Sequence, residues 1–339
     1  MVLAEIWYCV ICISVIFYAV LDGFDLGVGA LHLLAGTDGE RRVFLNAIGP
    51  VWDGNEVWLI IVFGGLFAGF PSAYATICEA FYTPIMVLLA AVIFRATAIE
   101  FRSKVTHTGW RSTWDVIFSL ASIVTAFLIG MIIANLIRGI PLDRNGDIAG
   151  TFSGFFSLYS VLLGLTSCSL FAMHGAVFLL MKVEGALRDR LLRRVNPAIF
   201  VFVTFYILTT LATLLYMPHM SATMRRTPPL FVVAVIAALA IANVPRSIGK
   251  GNDGFAFLSS SVAIIFLCSL FGIGLYPNLV RSTVDPTRNS LTLYNAAAAE
   301  GTLKVILTVA CIGVPLVLAY GVWIYRIFRG KVRIDEMSY

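Results

Sequence analysis

The chain has 339 residues, of which 59% are hydrophobic and only 13% are charged, and its mean hydropathy is +0.91. Soluble domains carry about a quarter charged residues, so this composition excludes a soluble protein and predicts an integral membrane protein. The net charge is +5, but most basic residues lie in the connections between apolar segments. That distribution indicates membrane topology rather than binding of nucleic acid.

Nine apolar segments, each long enough to cross a bilayer as a helix, follow one another along the chain. They predict a single all-α membrane domain that occupies 1–339. A basic stretch at 182–196 divides a first half, about 1–182, from a second half, about 183–339. The segments run over 6–35, 47–70, 76–100, 114–137, 153–182, 197–217, 229–245, 255–276 and 302–326.

Positive charge alternates between the connections and predicts the orientation of the chain. Sixteen Lys and Arg residues lie in the C-terminal tail and in the connections after the first, third, fifth and seventh segments, against seven in the other connections. Cytoplasmic connections carry an excess of basic residues. The N-terminus is therefore expected outside and the C-terminus in the cytoplasm.

The first segment contains two acids within the stretch LDGFDLGVG at 21–29. Asp22 and Asp25 are three positions apart and so point to roughly the same side of a helix. An ionised carboxylate in hydrocarbon is costly unless it has a partner, a proton or water, so these acids indicate a function. Gly23 and Gly27 predict the close approach of a neighbouring helix that covers the acids. In the alternative interpretation, the acids only cap a broken helix or bind a neighbouring backbone.

The second segment opens with GPVWDGNEVW at 49–58, which again places two acids three positions apart. Asp53 and Glu56 lie one to two turns below the predicted cytoplasmic surface. Asp25 lies about ten residues, or roughly 15 Å, from the same end of the first segment. These three acids predict a path for protons from the cytoplasm, because closely spaced buried carboxyl groups favour holding a proton. In the alternative interpretation they face lipid headgroups while the flanking tryptophans anchor the helix.

Other polar residues lie within the predicted segments. Arg95 lies about one turn from the basic end of the third segment and is expected to snorkel or to pair with an acid of the first or second segment. Glu100 follows it, closer to that end. His174 is the one histidine predicted to be buried, and a hydrogen bond to a neighbouring helix is favoured over haem ligation. The other three histidines lie at helix ends or in loops, so no metal site is predicted.

The stretches at 21–29 and 49–58 closely resemble subunit II of the cytochrome bd-type quinol oxidases. Further matches follow in the order of that family. FRSK at 101–104 and WRSTWD at 110–115 are similar to its third cytoplasmic connection, and 281–292 is similar to its late outer loop. The resemblance covers essentially the whole chain.

This resemblance implies nine transmembrane helices, arranged as two four-helix bundles plus one peripheral helix, in a bacterial cell (inner) membrane. It implies pairing with a similarly folded subunit I, which carries b- and d-type haems and the quinol site. The complex would oxidise quinol, reduce dioxygen to water with cytoplasmic protons, and generate a proton-motive force. This chain would bind no cofactor and be inactive alone. A structural quinone and a small accessory subunit are left open, because no motif here specifies either.

The resemblance also implies roles for individual residues. Asp25 and Asp53 match family acids that line proton routes toward the oxygen-reducing haem. Some relatives carry a histidine at the position of Val51, so a ring-mediated proton step does not carry over to this chain. The resulting prediction is a haem-free subunit II in which Asp25, Asp53, Glu56 and Glu100 deliver protons.

Two alternatives to this prediction come from other functional classes. An ion-coupled secondary transporter could use the same buried acids, and it should have helices broken at the midplane in both halves. Clustering of the acids in the first two segments disfavours that interpretation. A pure assembly scaffold is the third interpretation, and in it all of these acids would be replaceable.

Overall fold

The computed structural model describes residues 2–144, 146–149 and 154–333. Within them lie twelve α-helices and one short antiparallel pair of strands. The helices are α1 (Val2–Leu31), α2 (Asp38–Ile48), α3 (Trp52–Gly69), α4 (Pro71–Ala80), α5 (Tyr82–Phe101), α6 (Thr108–Arg138), α7 (Leu158–Lys182), α8 (Gly185–Tyr216), α9 (Ala222–Arg226), α10 (Phe231–Gly249), α11 (Asp253–Leu275) and α12 (Glu300–Ile327). The strands are β1 (Asn278–Val280) and β2 (Leu291–Thr292).

Eight of the described helices are long and apolar enough to cross a membrane, and α2 with α3 makes a ninth span if this bent pair is counted as one. Each predicted segment thus corresponds to a helix, and the prediction of an all-α integral membrane protein is confirmed. Residue 153, the predicted start of the fifth segment, lies outside the described residues. Helix α7 begins at Leu158, where the Ser157 side chain caps it by accepting a hydrogen bond from the Ser160 N–H at 3.1 Å.

Short helices precede the second and third spans. The Thr37 side chain begins α2 by accepting a hydrogen bond from the Glu40 N–H at 3.3 Å. Pro50 follows α2 and cannot donate a backbone hydrogen bond, so the helix stops there. The axes of α2 and α3 differ by 51° across this break. Helix α4 begins at Pro71, which is a favoured residue at the first helical position.

Helix α1 lies at the centre of the fold and packs against α3, α6, α7 and α11. All residues from Asp22 to Gly29 are buried, whereas a surface helix buries one face only. Gly27 crosses the backbone of α7, because a Cβ atom added there would overlap the carbonyl oxygen of Phe171 and crowd the nitrogen of Gly175. The predicted close approach of a neighbouring helix at Gly27 is confirmed.

Polar contacts join the basic connections at one end of the molecule, which we call the basic end. Arg188 at the start of α8 pairs with Asp253 at the start of α11, with 2.9 Å between Nη2 and Oδ2. Lys182 Nζ donates to the carbonyl oxygen of Phe328 at 2.8 Å. The basic connections of the second half and the end of α12 therefore meet at one surface, as the alternation of charge predicts. Which side of the membrane this surface faces stays a prediction.

The connection between the last two predicted segments, 277–301, covers the opposite end. It contains β1 and β2, and Asn289 Nδ2 donates to the carbonyl oxygen of Leu142 at 2.9 Å. His219 Nε2 donates to the carbonyl oxygen of Ile137 at 2.8 Å at the same end. Burial lowers the pKa of His219, so this histidine is a neutral hydrogen-bond donor that holds the loop before α9 to α6.

Helix α12 lies at the edge of the chain. It packs against α3 and α1, and Leu303 is the one residue of this helix that is buried. The other residues of α12 are partly or fully exposed. The finer arrangement, two four-helix bundles plus a peripheral helix, and the halves 1–182 and 183–339 stay predictions.

Candidate functional site

Helices α1, α3 and α5 bring charged side chains together inside the membrane-spanning region. Arg95 of α5 is completely buried and donates two hydrogen bonds to Asp22 of α1, from Nη2 to Oδ1 at 2.5 Å and from Nη1 to Oδ2 at 3.0 Å. The same Nη2 lies 2.8 Å from Oε1 of Glu56 in α3. We call the set Asp22, Asp25, Asn55, Glu56 and Arg95 the interior cluster.

The contact between Arg95 and Asp22 is bidentate, the geometry that makes a guanidinium a strong partner for a carboxylate. Removing one member of a buried pair leaves an uncompensated charge, at a cost of about 3–5 kcal/mol. Arg95 was predicted to snorkel or to pair with an acid of the first or second segment, and the pairing is confirmed because each segment supplies one acid. Glu56 keeps 16% of its side chain exposed, although its Oε1 is buried.

Asp25 is completely buried, but its hydrogen-bond partner is neutral. Its Oδ2 accepts a hydrogen bond from Asn55 Nδ2 at 2.7 Å, and its Oδ1 has no partner among the described residues. Asn55 accepts a hydrogen bond from Tyr325 Oη at 3.0 Å and donates to the carbonyl oxygen of Leu21 at 3.3 Å. The interior cluster thus holds three carboxyl groups and one guanidinium. Full ionisation would leave two uncompensated negative charges in a medium of low dielectric constant.

The remaining predicted site residues lie between the interior cluster and the basic end. Asp53 is exposed in the first turn of α3, one turn before Glu56. Glu100 is half-buried in the last turn of α5, about 7.5 Å along the helix from Arg95. The structure therefore brings Asp25 and Glu56 into one cluster, while Asp53 and Glu100 lie closer to the surface.

The glycines of the first motif do not cover its acids, contrary to the sequence-based expectation. Gly23 and Gly27 face α7, whereas the partners of Asp22 and Asp25 come from α5 and α3. Each glycine is two positions from Asp25, which corresponds to about 200° around a helix with 3.6 residues per turn. The glycines therefore lie on the opposite face of α1, and α3 and α5 cover the carboxyl groups.

Sequence reasoning names Asp22 as a buried functional acid but leaves it out of the predicted proton route, and it misses two residues of this site altogether. Asn55 lies between the two acids of the second motif, and this position in the sequence is the signal that could have identified it. Tyr325 lies 270 residues further along the chain, and no sequence pattern connects it to the motif.

A second charged cluster joins α2, α6 and the turns that follow α1 and α5 at the basic end. Asp115 is buried and accepts hydrogen bonds from Arg102 Nε at 2.5 Å and from Arg41 Nη1 at 2.9 Å. Nε2 of His32 lies 2.6 Å from the same carboxylate. Arg102 also donates to Asp38 at 2.7 Å. We call these five residues the clamp.

His174 forms hydrogen bonds to two other helices, as predicted. Nε2 donates to the carbonyl oxygen of Val20 at 3.0 Å, and Nδ1 lies 2.7 Å from Ser260 Oγ. The ring stacks on Phe257, with 4.9 Å between centroids. The expectation that His174 is the one buried histidine is wrong, because His32 is buried in the clamp. In the part of the chain that the structure describes, no three His, Cys, Asp or Glu side chains are grouped to hold a metal ion.

The fold and the interior cluster define a polytopic all-α membrane protein with a buried site of acids and arginine. The chain belongs to the family of cytochrome bd terminal oxidase subunit II, whose sequence profile matches residues 3–328. It is a multi-pass bacterial membrane protein, and the resemblance inferred from its motifs is confirmed.

Relatives in this family match nearly the whole chain. The cytochrome bd ubiquinol oxidase subunit 2 of Bacillus subtilis (strain 168) is 33% identical over 342 residues, covering 99% of both chains. The cytochrome bd-I ubiquinol oxidase subunit 2 of Escherichia coli (strain K12) is 29% identical over 368 residues, covering 99% of this chain and 97% of that one. These relatives are subunits of an oxidoreductase complex.

A solved structure shares the fold. The bd oxidase from Geobacillus thermodenitrificans superposes with a TM-score of 0.81 over 97% of this chain and 99% of that chain, at 17% sequence identity. The two chains therefore have the same helical architecture although most of their side chains differ.

Proposed function

We propose that this chain is the haem-free subunit of a quinol-oxidising, oxygen-reducing complex and that it supplies part of the proton route from the cytoplasm. The observation that carries the proposal is the environment of Asp25. Its carboxyl group is completely buried, has one neutral hydrogen-bond donor, and keeps one oxygen without a partner among the described residues. Such a group can take up and release a proton without breaking an ion pair.

The proposed route enters at the basic end of α3. Asp53 is exposed there, and Glu56 lies one turn deeper, about 4.5 Å along the helix axis. Asn55, the partner of Asp25, is the neighbour of Glu56 in the chain. No hydrogen bond joins Glu56 to Asp25 among the described residues. Transfer between them therefore requires bound water, and the polar side chains of the interior cluster supply partners for it.

Arg95 and Asp22 form a pair beside this route whose total charge stays constant. Arginine stays charged in proteins, so the bidentate pair is neutral as a whole. Each further ionised carboxyl group adds one uncompensated negative charge to a buried site, and a proton on Glu56 or Asp25 removes it. The two acids outside the bidentate pair are therefore the exchangeable ones.

Glu100 is proposed as a second entry residue, because it lies on α5 between Arg95 and the basic end. The basic end is proposed to face the cytoplasm, with the N-terminus outside, since cytoplasmic surfaces collect Lys and Arg. The proposed partner is a haem-bearing subunit I, whose b- and d-type haems supply the chemistry of oxygen reduction. Quinol is the substrate of the complex. We propose no cofactor site on this chain, and a structural quinone and an accessory subunit are not part of the proposal.

The ion-coupled transporter gains no support from the fold. Such transporters carry broken helices at the membrane midplane in both halves. Among the described residues one helix pair is bent across a short break, α2 with α3, and it lies in the first half beside the basic end. Membership of an oxidase subunit family also disfavours this alternative.

Asp25→Asn and Asp53→Asn test the route in the purified complex. Asparagine keeps the size and hydrogen bonding of aspartate but cannot carry a proton. We expect oxygen consumption per haem to fall by about 100-fold or more in Asp25→Asn and by less in Asp53→Asn, because water can replace an exposed acid. Glu79→Gln is the matched control, since Glu79 is an exposed acid of α4 at the opposite end. Wild-type turnover in both aspartate variants would overturn the proposal and favour the scaffold.

A second experiment tests the haem-free part of the proposal. The chain expressed alone in membranes should show no haem absorbance and no oxidase activity, because the proposed haem ligands lie on the partner subunit. His107→Ala provides a control, since His107 is exposed. A haem spectrum from the isolated chain that is lost in His174→Ala but kept in His107→Ala would show that this part is wrong.

A further inference from the structure

Helix α12 reaches the interior cluster through one side chain. Tyr325 is half-buried, and its Oη donates a hydrogen bond to Oδ1 of Asn55 at 3.0 Å. Its neighbours Val322 and Trp323 are exposed, and α12 packs only lightly on α3 and α1. A helix that contributes little to the core thus supplies a polar contact to a residue that binds Asp25.

The surroundings of Asn55 permit one orientation of its amide group. Two acceptors face the amide nitrogen, Oδ2 of Asp25 at 2.7 Å and the carbonyl oxygen of Leu21 at 3.3 Å. One donor, the hydroxyl group of Tyr325, faces the amide oxygen. A carboxamide has one acceptor oxygen and one donor nitrogen. Only the orientation with Nδ2 toward Asp25 satisfies all three neighbours.

We propose that Tyr325 is a positioning residue for proton transfer at Asp25, acting through Asn55. This inference rests on the proposed function of Asp25. By donating to Oδ1, Tyr325 holds Nδ2 of Asn55 against the carboxyl group. A donor in that place stabilises ionised Asp25 and so favours release of its proton.

Loss of the tyrosine hydroxyl group has a defined consequence for this network. Oδ1 of Asn55 would be left without a donor in a buried site, so the amide would lose one of the three contacts that fix it. Its Nδ2 would be held less firmly against the carboxyl group and would stabilise ionised Asp25 less. Asp25 would then hold its proton more tightly, although neither Asp25 nor Asn55 has been changed.

Tyr325→Phe in the assembled oxidase complex tests this inference, because phenylalanine keeps the ring and removes the hydroxyl group. We expect turnover per haem to fall by about two- to tenfold, the range that corresponds to one hydrogen bond. The part of the pH profile of turnover that depends on ionisation of Asp25 should shift to higher pH, because Asp25 holds its proton more tightly. Tyr320→Phe on the same helix is the matched control, since Tyr320 is exposed and contacts Trp323 rather than the cluster.

The double variant Asn55→Ala/Tyr325→Phe separates positioning from docking of the helix. If Tyr325 acts through Asn55, its loss has no further effect on turnover or pH profile once Asn55 is alanine. Full additivity of the two substitutions would overturn the inference. So would a wild-type pH profile in Tyr325→Phe, or loss of the assembled complex in that variant, which would assign Tyr325 a docking role. If Asp25→Asn also turns over normally, the proposed function itself fails, whereas impaired Asp25→Asn with normal Tyr325→Phe rejects only this inference.

Discussion

The clamp and the interior cluster use the same types of side chain with opposite balances of charge. In the clamp, the carboxylates Asp38 and Asp115 meet the guanidinium groups of Arg41 and Arg102, and His32 adds a further contact. Arg111 also pairs with Asp38, with 2.9 Å between Nη1 and Oδ2, so positive charge at least matches negative charge in this region. In the interior cluster, three carboxyl groups meet one guanidinium, so positive charge is in deficit where the dielectric constant is lowest.

This difference decides what each acid can do when a proton arrives. Both oxygens of Asp115 accept hydrogen bonds from arginine, so protonation would weaken two charged contacts. Asp25 accepts one hydrogen bond from the neutral Asn55, so protonation costs little and removes an uncompensated charge. An aspartate thus becomes a structural residue or a proton carrier according to the number of cations beside it.

Arg95→Leu should have the largest effect, because it removes the cation of the interior cluster. Asp22 and Glu56 would be left as buried charges, at a cost of about 3–5 kcal/mol. We expect little assembled complex, measured by haem staining of blue-native gels. Arg246→Leu is the control, since Arg246 is an exposed arginine of α10. The double variant Asp22→Asn/Arg95→Leu should restore part of the assembly; wild-type assembly of Arg95→Leu alone would contradict the assigned pairing.

Gly27→Leu tests whether both clusters depend on the position of α1, which carries the acids of one cluster and leads directly into His32 of the other. A side chain at Gly27 would overlap the backbone of α7. The expected cost is about 1–3 kcal/mol or more, since neither backbone can yield easily. Haem-stained gels should show reduced assembly. Gly64→Leu is the control because no atom lies within 4 Å of a Cβ added at Gly64, and equal assembly of the two variants would show that the packing of α1 on α7 is wrong.

Asp115→Asn should weaken the clamp without slowing the enzyme. Arg102 and Arg41 would lose their shared carboxylate, and hydrogen bonds to charged groups contribute about 1.5–3 kcal/mol. We expect a lower thermal unfolding midpoint of the purified complex and unchanged oxygen consumption per haem. Asp189→Asn, at an exposed residue of the same end, serves as the control. Lost turnover with an unchanged midpoint would reverse the roles assigned to the two clusters.

Asp25→Asn should have the smallest effect on stability. An amide in that place keeps the contact with Asn55 and carries no charge, so the free energy of unfolding should fall by no more than about 1 kcal/mol, the central value for point variants. The same thermal scan as for Asp115→Asn measures it. Asp115→Asn should lose stability and keep turnover, whereas Asp25→Asn should keep stability and lose turnover. A large fall in the thermal unfolding midpoint of Asp25→Asn would show that Asp25 is a structural residue. The two clusters would then not differ in role.

Much of this protein follows from its sequence. Apolar segments long enough to span a bilayer predict the helices, because a backbone in lipid must satisfy its own hydrogen bonds. A buried charge requires a partner, so the pairing of Arg95 with an acid of an earlier segment could also be predicted. Gly27 marks a helix crossing, since small residues allow backbones to approach.

Tertiary structure alone decided which acid received the arginine and which remained without a cation. Asp22 and Asp25 differ by about 60° around α1, and the rotation of that helix against α3 and α5 turns one toward Arg95 and the other toward Asn55. That rotation is set by packing between helices distant in the chain. The contact of Tyr325 with Asn55 spans 270 residues and leaves no periodic signal. A sequence pattern shows which face of a helix is apolar. The partner of a buried polar group depends on which distant helix packs beside it, and the pattern does not show that.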